Sequence, residues 1–168
     1  DIVVNNAGVS GPAHALETTD EAWREVYAIN VEGALRVAKA AARVMIVGKT
    51  GGSIINIASI TGIRPAAAAP AYSSSKAALI HLTKGLAGEW ARHRIRVNAI
   101  APGYFFTDLT REFLDSDYGR KLVSRVPQRR LGELPELDGP LVLLASPASS
   151  YMTGSVIEVD GGHLASPL

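Results

Sequence analysis

Apolar and polar positions along this 168-residue chain fall into blocks of two kinds. Short runs rich in Ile and Val occur at Ile2 to Val4, Ser53 to Ala58, Ile95 to Ile100 and Val156 to Val159. The continuous β-branched run from Ile2 to Val4 reads as a strand buried on both faces, Ser53 to Ala58 as a second buried strand, and the other two as a third and a fourth strand. Between them, apolar residues recur at three- and four-residue steps, the period of a helix. Thr18-x-x-Glu21 has capping-box form and is expected to open one long helix. Its stripe is Trp23, Val26, Tyr27, Ala34, Val37 and Ala41, and Gly48 to Gly52 ends it. A second helix is expected from about Tyr72 to Arg92, with Leu79, Leu82, Leu86 and Trp90 as apolar positions. A variable helical stretch follows from about Thr107 to Ser124, and a last helix from Leu137 to Leu144. Pro102-Gly103 stops the third strand, and Asp160-Gly161-Gly162 makes a tight turn after the fourth.

Strands alternating with long helices argue for parallel βαβ units with right-handed crossovers. The expected class is α/β: the C-terminal portion of a doubly wound parallel sheet of the Rossmann type, helices on both faces, as a single domain over residues 1–168. Such sheets are built from two βαβαβ halves and hold a dinucleotide where the strand order reverses. No G-x-G-x-x-G or G-x-x-x-G-x-G turn follows a first strand, and Gly51-Gly52 and Gly161-Gly162 stand in the wrong context for one. The chain also opens at Asp1, without Met, in a strand already under way. The expectation is a partial fold lacking the first βαβαβ half, with Ile2 to Val4 left as an uncovered sheet edge.

Composition narrows the partners. Hydrophobic residues make up 47% and charged residues 20%, with a net charge of +1. That balance fits a water-soluble globular protein and gives no electrostatic reason to expect nucleic acid or an anionic membrane. No apolar run approaches the roughly 18 residues of a membrane span, and no signal peptide is visible. The chain has no cysteine, so disulfides and thiolate chemistry are excluded and a reducing compartment is permitted; the location expected is cytoplasmic. His14, His81, His93 and His163 lack metal-ligand spacing, and no metal is expected. Asp108, Glu112, Asp115 and Asp117 read as a solvated helix face.

Candidate chemistry begins with Tyr72 and Lys76, four apart at the start of a helix and therefore on one face. A free phenol titrates too high to move protons at neutral pH. An ammonium at about 4 Å, with an effective dielectric of about 20, contributes roughly 4 kcal/mol. That would bring the phenol within reach of neutrality and make the pair a tuned acid/base. A Y-x-x-x-K spacing also arises by chance. Ser59 sits just past a strand end, where ligands bind in such sheets, although serine also simply starts loops. Asn30 lies mid-helix among apolar residues, where a buried amide needs partners. It is either satisfied by neighbouring backbone or a polar anchor for water or for Lys76.

Together with their surroundings these residues resemble the short-chain dehydrogenase/reductase family. Asn5-Asn6-Ala7-Gly8 looks like its N-N-A-G motif, and Asn30-Val31-x-Gly33 is similar to its N-V-x-G. Ser59 precedes Tyr72 by 13 residues, the family's common spacing, and Tyr72-Ser73-Ser74-Ser75-Lys76 matches Y-x-x-x-K. Arg96-Val97-Asn98 with Pro102-Gly103 and then Thr107 resembles R-V-N-x-x-x-P-G and its following threonine. Tyr151-Met152-Thr153-Gly154 and Val159-Asp160-Gly161-Gly162 look like the C-terminal signature. The motifs stand in family order across residues 1 to 162.

The resemblance implies an NAD(P)-dependent oxidoreductase moving a hydride between NAD or NADP and a small carbonyl or secondary alcohol. Tyr72 would be the general acid in reduction and the base in oxidation. Ser59 would hydrogen-bond the substrate oxygen. Lys76 would depress the phenol pKa and bind the nicotinamide ribose, and Asn30 would position a water in a proton relay. Asn6, Ala7 and Gly8 would approach the adenosine side. Pro102 and Gly103 would also bind the cofactor, and the Phe105 backbone and Thr107 would hold the nicotinamide carboxamide. Asn5 and Asn98 are read as structural braces. The residue that separates NAD from NADP lies in the absent half, so that choice stays open.

Substrate choice is expected in the loop after Gly8, in the loop from Thr61 to Pro70, and from Tyr104 to Pro127. In that last stretch Tyr104, Phe105, Phe106, Leu109, Phe113 and Leu114 either line an apolar pocket or pack a lid helix. Val126 to Gly132 would close that lid, and Arg64 either meets an anionic substrate or is solvated. The overall resemblance leans toward sugar and gluconate dehydrogenases and 3-oxoacyl-carrier-protein reductases. Leu35, Val44, Ile80 and Trp90 lie beyond one narrow helical stripe, so a homo-oligomer, a dimer or a tetramer, is expected. Two alternatives remain at this stage: an epimerase or dehydratase relative, and an inactive fragment or binding module.

Overall fold

The computed structural model describes residues 1–66, 68–107 and 116–166. Four strands form one parallel sheet in the order β1 (Ile2–Asn5), β2 (Gly52–Ile57), β3 (Ile95–Pro102) and β4 (Val156–Val159). Val3 lies opposite Ile54, Ile55 opposite Asn98, and Ile100 opposite Ile157. Because every strand runs the same way, all four carboxyl ends open onto one edge of the sheet, where ligands of such sheets bind.

The two central strands are buried nearly throughout, as continuous apolar runs require. The edge differs from expectation. Ile2 is 52% and Val4 42% exposed, so β1 is covered on one face only rather than on both. Among the described residues, β2 alone stands beside it.

Alternation along β2 and β3 splits the core in two. Ile54, Ile95 and Val97 face α2 (Ala34–Gly48) and α3 (Pro70–Trp90), meeting Ala38, Ala42, Met45, Leu86, Ala87 and Trp90. Ile55 and Ile100 face the other way, against Leu144 of the C-terminal helix Asp138–Ala145. Helices thus cover both faces, as the α/β reading expects. Each fully buried Ile or Leu contributes about 1.5–3 kcal/mol. A short helix, Asp117–Val123, occupies part of the stretch expected to be helical from 107 to 124; residues 108–115 lie outside the described residues.

The first long helix departs most from expectation. Thr19, not Thr18, caps it, accepting the Ala22 N–H at 3.2 Å, while Thr18 donates to the His14 carbonyl. The helix α1 (Asp20–Tyr27) then widens into a π turn over Ala28–Gly33 before α2 begins. A π turn holds an extra residue, so the buried face advances by one position beyond it. Ala38 and Ala42 are buried where the uninterrupted stripe placed Val37 and Ala41, and Val37 is 49% exposed. The same turn carries Asn30 inward to 1% exposure.

Candidate active site

Three strand ends and one helix supply the candidate groups. Ser59 follows β2 directly and is 7% exposed. Its Oγ accepts from the Thr61 N–H at 3.1 Å and the Thr61 hydroxyl at 3.0 Å, which caps a single 3-10 turn over Ile60–Gly62. That turn lies hard against α3: a Cβ on Gly62 would come within 2.6 Å of the Lys76 carbonyl carbon. Only glycine permits this approach of backbone to backbone. The start of α3 is set by Pro70 at its first turn and by Ala69, held at φ 61° with its N–H on the Ala13 carbonyl at 2.6 Å.

Tyr72 and Lys76 then sit one turn apart on α3. The Lys76 ammonium is 5.6 Å from the centre of the Tyr72 ring and donates to the Ile57 carbonyl at 2.8 Å. At 3% exposure it loses most of its hydration, and burial lowers its pKa to about 8. The phenol behaves differently from expectation. Burial raises its pKa, and a hydrogen-bonding interaction with the Ser59 side chain pulls it only partly back. An ammonium within about 4 Å of the phenol in a polar medium would lower that pKa. Here desolvation of the phenolate is the larger effect, and the ammonium is engaged with a backbone carbonyl.

Asn30 crosses from the π turn to two neighbours. Its Oδ1 accepts the Val9 N–H at 2.9 Å, while its Nδ2 donates to the Val9 carbonyl at 2.9 Å and to the Ser75 hydroxyl at 2.9 Å. Ser75 in turn donates to the Tyr72 carbonyl at 2.8 Å. The amide therefore bonds the loop after β1 as a strand neighbour would and ties that loop to α3. Gly8 fits tightly here: a Cβ would meet the Lys76 Nζ at 3.3 Å and the Asn30 Oδ1 at 3.4 Å.

The remaining candidates line the same edge. Asn6 and Ala7 are exposed just past β1. Pro102 ends β3, and Gly103 donates to the Val159 carbonyl at 2.8 Å; a Cβ on Gly103 would lie 2.7 Å from the Asp160 Cα. Phe105 is buried with its ring against Gly132, and Thr107 is half-buried. Asn5 and Asn98 brace backbone. Asn5 donates to Ala34 and to Asn56, while Asn98 donates to the Met152 carbonyl and accepts from the Ser155 N–H.

The substrate side holds one correction. Arg64 is half-buried rather than freely solvated, and it donates to the carbonyls of Ser166 at 3.0 Å and His163 at 2.6 Å. His163 packs edge-on against Tyr104, 5.3 Å between centroids. Leu109, Phe113 and Leu114, with Asp108, Glu112 and Asp115, lie outside the described residues. Gly62, Ser75 and the Ile57 carbonyl escaped the sequence argument. A glycine three residues past the candidate serine was the one signal that pointed to the first.

Comparison with known proteins places this geometry. The family model described as enoyl-(acyl carrier protein) reductase matches residues 1–163. The chain belongs to the short-chain dehydrogenases/reductases. Among members of that family, it is 42% identical over 166 residues to the 2-dehydro-3-deoxy-D-gluconate 5-dehydrogenase of Dickeya dadantii (strain 3937), covering 98% of this chain and 66% of that protein. It is 41% identical to the galactitol 2-dehydrogenase (L-tagatose-forming) of Cereibacter sphaeroides, covering 96% of this chain and 65% of that one. The crystal structure of a gluconate 5-dehydrogenase from Burkholderia cenocepacia J2315 in complex with NADP and tartrate superposes with a TM-score of 0.94 at 38% identity. That match covers 99% of this chain and 66% of the other. The chain thus spans just under two thirds of the length of these short-chain dehydrogenase/reductase relatives.

Among the described residues, no helix is long and apolar enough to cross a membrane. The donor set also fits a nicotinamide dinucleotide. Lys76 carries three N–H donors, the described residues give it one acceptor, and the phenol of Tyr72 stands on the same helical face. A ribose diol could take the spare donors.

Proposed function

We propose that the protein is an NAD- or NADP-dependent oxidoreductase that interconverts a secondary alcohol and a carbonyl, with Asn30, Ser59, Tyr72 and Lys76 as its working groups. The observation that carries the reading is the placement of Tyr72 and Lys76 one turn apart on α3, beside Ser59 and against the end of β2. The bound dinucleotide would supply or accept the hydride.

The chain's own groups handle the proton. A phenol whose pKa is raised keeps its proton at neutral pH, which suits the acid role in carbonyl reduction. Tyr72 gives that proton to the substrate oxygen as the oxygen gains charge, and in the opposite direction it takes the alcohol proton. Ser59 donates a hydrogen bond to the same oxygen and stabilises the charge that develops there. Lys76 holds the ribose and keeps a cation beside the phenol. Asn30 fixes the loop of Gly8 and Val9 against α3, and with a bound water it joins Lys76 to solvent. Asn6, Ala7, Gly8, Pro102, Gly103, Phe105 and Thr107 form the dinucleotide-facing edge.

The substrate class we infer is a polyhydroxylated acid or alcohol, as the names of the gluconate, dehydrodeoxygluconate and galactitol dehydrogenases suggest. We further propose that the protein acts in the cytoplasm as a homo-oligomer. The test is a panel of sugar acids, polyols, acyl thioesters and hydroxysteroids with both dinucleotides, followed by the absorbance of the reduced nicotinamide. Tyr72→Phe is expected to abolish turnover while leaving dinucleotide affinity, read by fluorescence titration, within about twofold. Undiminished turnover in that variant removes Tyr72 from the reaction.

A further inference from the structure

A second buried polar cluster lies behind the site and takes no part in the chemistry described so far. Asn56 of β2 is 1% exposed and Thr83 of α3 is 0% exposed, both among apolar neighbours. Asn56 Nδ2 donates to Thr83 Oγ1 at 2.8 Å, and Thr83 Oγ1 donates to the Leu79 carbonyl at 2.8 Å. On the other side, Asn56 Oδ1 accepts from Asn5 Nδ2 at 2.8 Å, and Asn5 Nδ2 also donates to the Ala34 carbonyl at 3.2 Å. The directions are fixed throughout. Thr83 has a single hydrogen, given to Leu79, so its oxygen must accept from Asn56.

We propose that the Asn56–Thr83 bond is a register pin, which sets the position of α3 against β2 and thereby places the Lys76 ammonium on the Ile57 carbonyl. The proposal rests on the reading of Lys76 as part of the site, and it makes Asn56 and Thr83 positioning residues. Three relationships support it. Lys76 and Thr83 are seven residues apart, about two turns, so they lie on one stripe of the helix. Their partners on β2, Ile57 and Asn56, are consecutive. The two side chains differ in stiffness: lysine is long and adapts, while threonine is short and restricted at χ1. Lys76 can therefore follow the helix but cannot fix it, and Thr83 can.

The chain of bonds also reaches the other half of the site. Ala34 is the first residue after the π turn that carries Asn30. Its carbonyl holds Asn5, Asn5 holds Asn56, and Asn56 holds α3. Asn30 and Lys76 are thus carried by elements that one buried relay locks together.

Thr83→Val, Thr83→Ala and Thr83→Ser in the protein made from its complete coding sequence test the pin. Valine keeps the shape and removes the hydroxyl; alanine leaves room for a water to satisfy Asn56 should the valine variant fold poorly; serine restores the hydroxyl. The first readout is acetylation of Lys76 by acetic anhydride relative to exposed Lys49, followed by peptide mass spectrometry, which needs no turnover. Lys76 labelling is expected to rise about threefold or more in the valine or alanine variant and to return to wild type in the serine variant. The second readout is kinetic: kcat falls about tenfold with KM within about twofold, again rescued by serine. Unchanged Lys76 labelling and an unchanged kcat in a folded valine or alanine variant, even with a lowered melting temperature, would overturn the pin and leave a purely structural contact. A wild-type protein that turns over nothing with either nicotinamide defeats the functional reading instead, while the labelling still decides the pin.

Discussion

Asn30 and Ser75 share a hydrogen bond of 2.9 Å, amide to hydroxyl, that joins the π turn to α3. The same amide exchanges two further bonds with the Val9 backbone. Replacing it with alanine leaves the Val9 N–H and carbonyl without their partner next to Lys76. An orphaned buried group costs about 1–3 kcal/mol. Asn30→Ala is therefore expected to lose about 2–4 kcal/mol in urea denaturation, with turnover falling as the loop of Gly8 loosens. Asn30→Asp keeps the acceptor for the Val9 N–H but sets a buried carboxylate oxygen against the Val9 carbonyl and cannot donate to Ser75, so it should lose at least as much. A variant as stable as wild type would mean that water replaces the amide.

Much of this arrangement was legible in the residues, and the exceptions share a cause. Runs rich in Ile and Val located all four strands, although only the two central ones are buried nearly throughout. The Y-x-x-x-K spacing placed two side chains on one helical face, since local periodicity alone decides that. What escaped depended on contacts distant in sequence. The π turn at Ala28–Gly33 moved the buried face from Val37 to Ala38, and no periodicity that assumes an unbroken helix finds that shift. Thr83, between Leu82 and Leu86, carries no local signal of its role as the acceptor of an amide 27 residues away. The rise in the Tyr72 pKa followed from burial, which spacing does not reveal.

That rise fixes the pH behaviour of the two reaction directions. A phenol with a raised pKa is protonated through neutral pH, so carbonyl reduction, which consumes its proton, should be flat there and decline only under alkaline conditions. Alcohol oxidation needs the deprotonated phenol and should increase with pH through neutrality and beyond. Because Tyr72 and Lys76 adjoin, the apparent values belong to the pair. Steady-state rates in both directions across pH check this. An oxidation rate independent of pH, with chemistry shown to be rate-limiting, would take the phenol out of the proton path.

Lys76 makes a separate prediction about stability. Burial lowers its pKa in the folded chain to about 8 from the ordinary lysine value of 10.5. Below about pH 8 it is charged both folded and unfolded, and the full cost of burying the cation is present. Between about 8 and 10.5 the unfolded chain binds more protons than the folded one, so stability rises with pH. Lys76→Met lacks this dependence. The difference in unfolding free energy between wild type and Lys76→Met should therefore move in favour of wild type by about 3 kcal/mol across that window. Denaturation at several alkaline pH values measures it, and a constant difference would show that the ammonium is well solvated.

Gly62 supplies the sharpest steric prediction. A methyl group there would stand 2.6 Å from the Lys76 carbonyl carbon, 2.7 Å from the Ala77 nitrogen and 2.9 Å from the Lys76 carbonyl oxygen. All three are backbone atoms of α3, so no side chain can swing aside, and either the helix or the Ser59 turn must move. Ser59 and Tyr72 sit on opposite sides of that contact, and a displacement of about 1 Å in a reacting group can cost a hundredfold in rate. Gly62→Ala is expected to lose about 1–3 kcal/mol of stability. It should also lower kcat more than it raises KM, since the oxygen-binding groups separate while the substrate walls stay. Measuring both constants together with the melting temperature distinguishes this from simple unfolding: a folded variant with wild-type kcat would show that the turn can retreat without taking Ser59 with it.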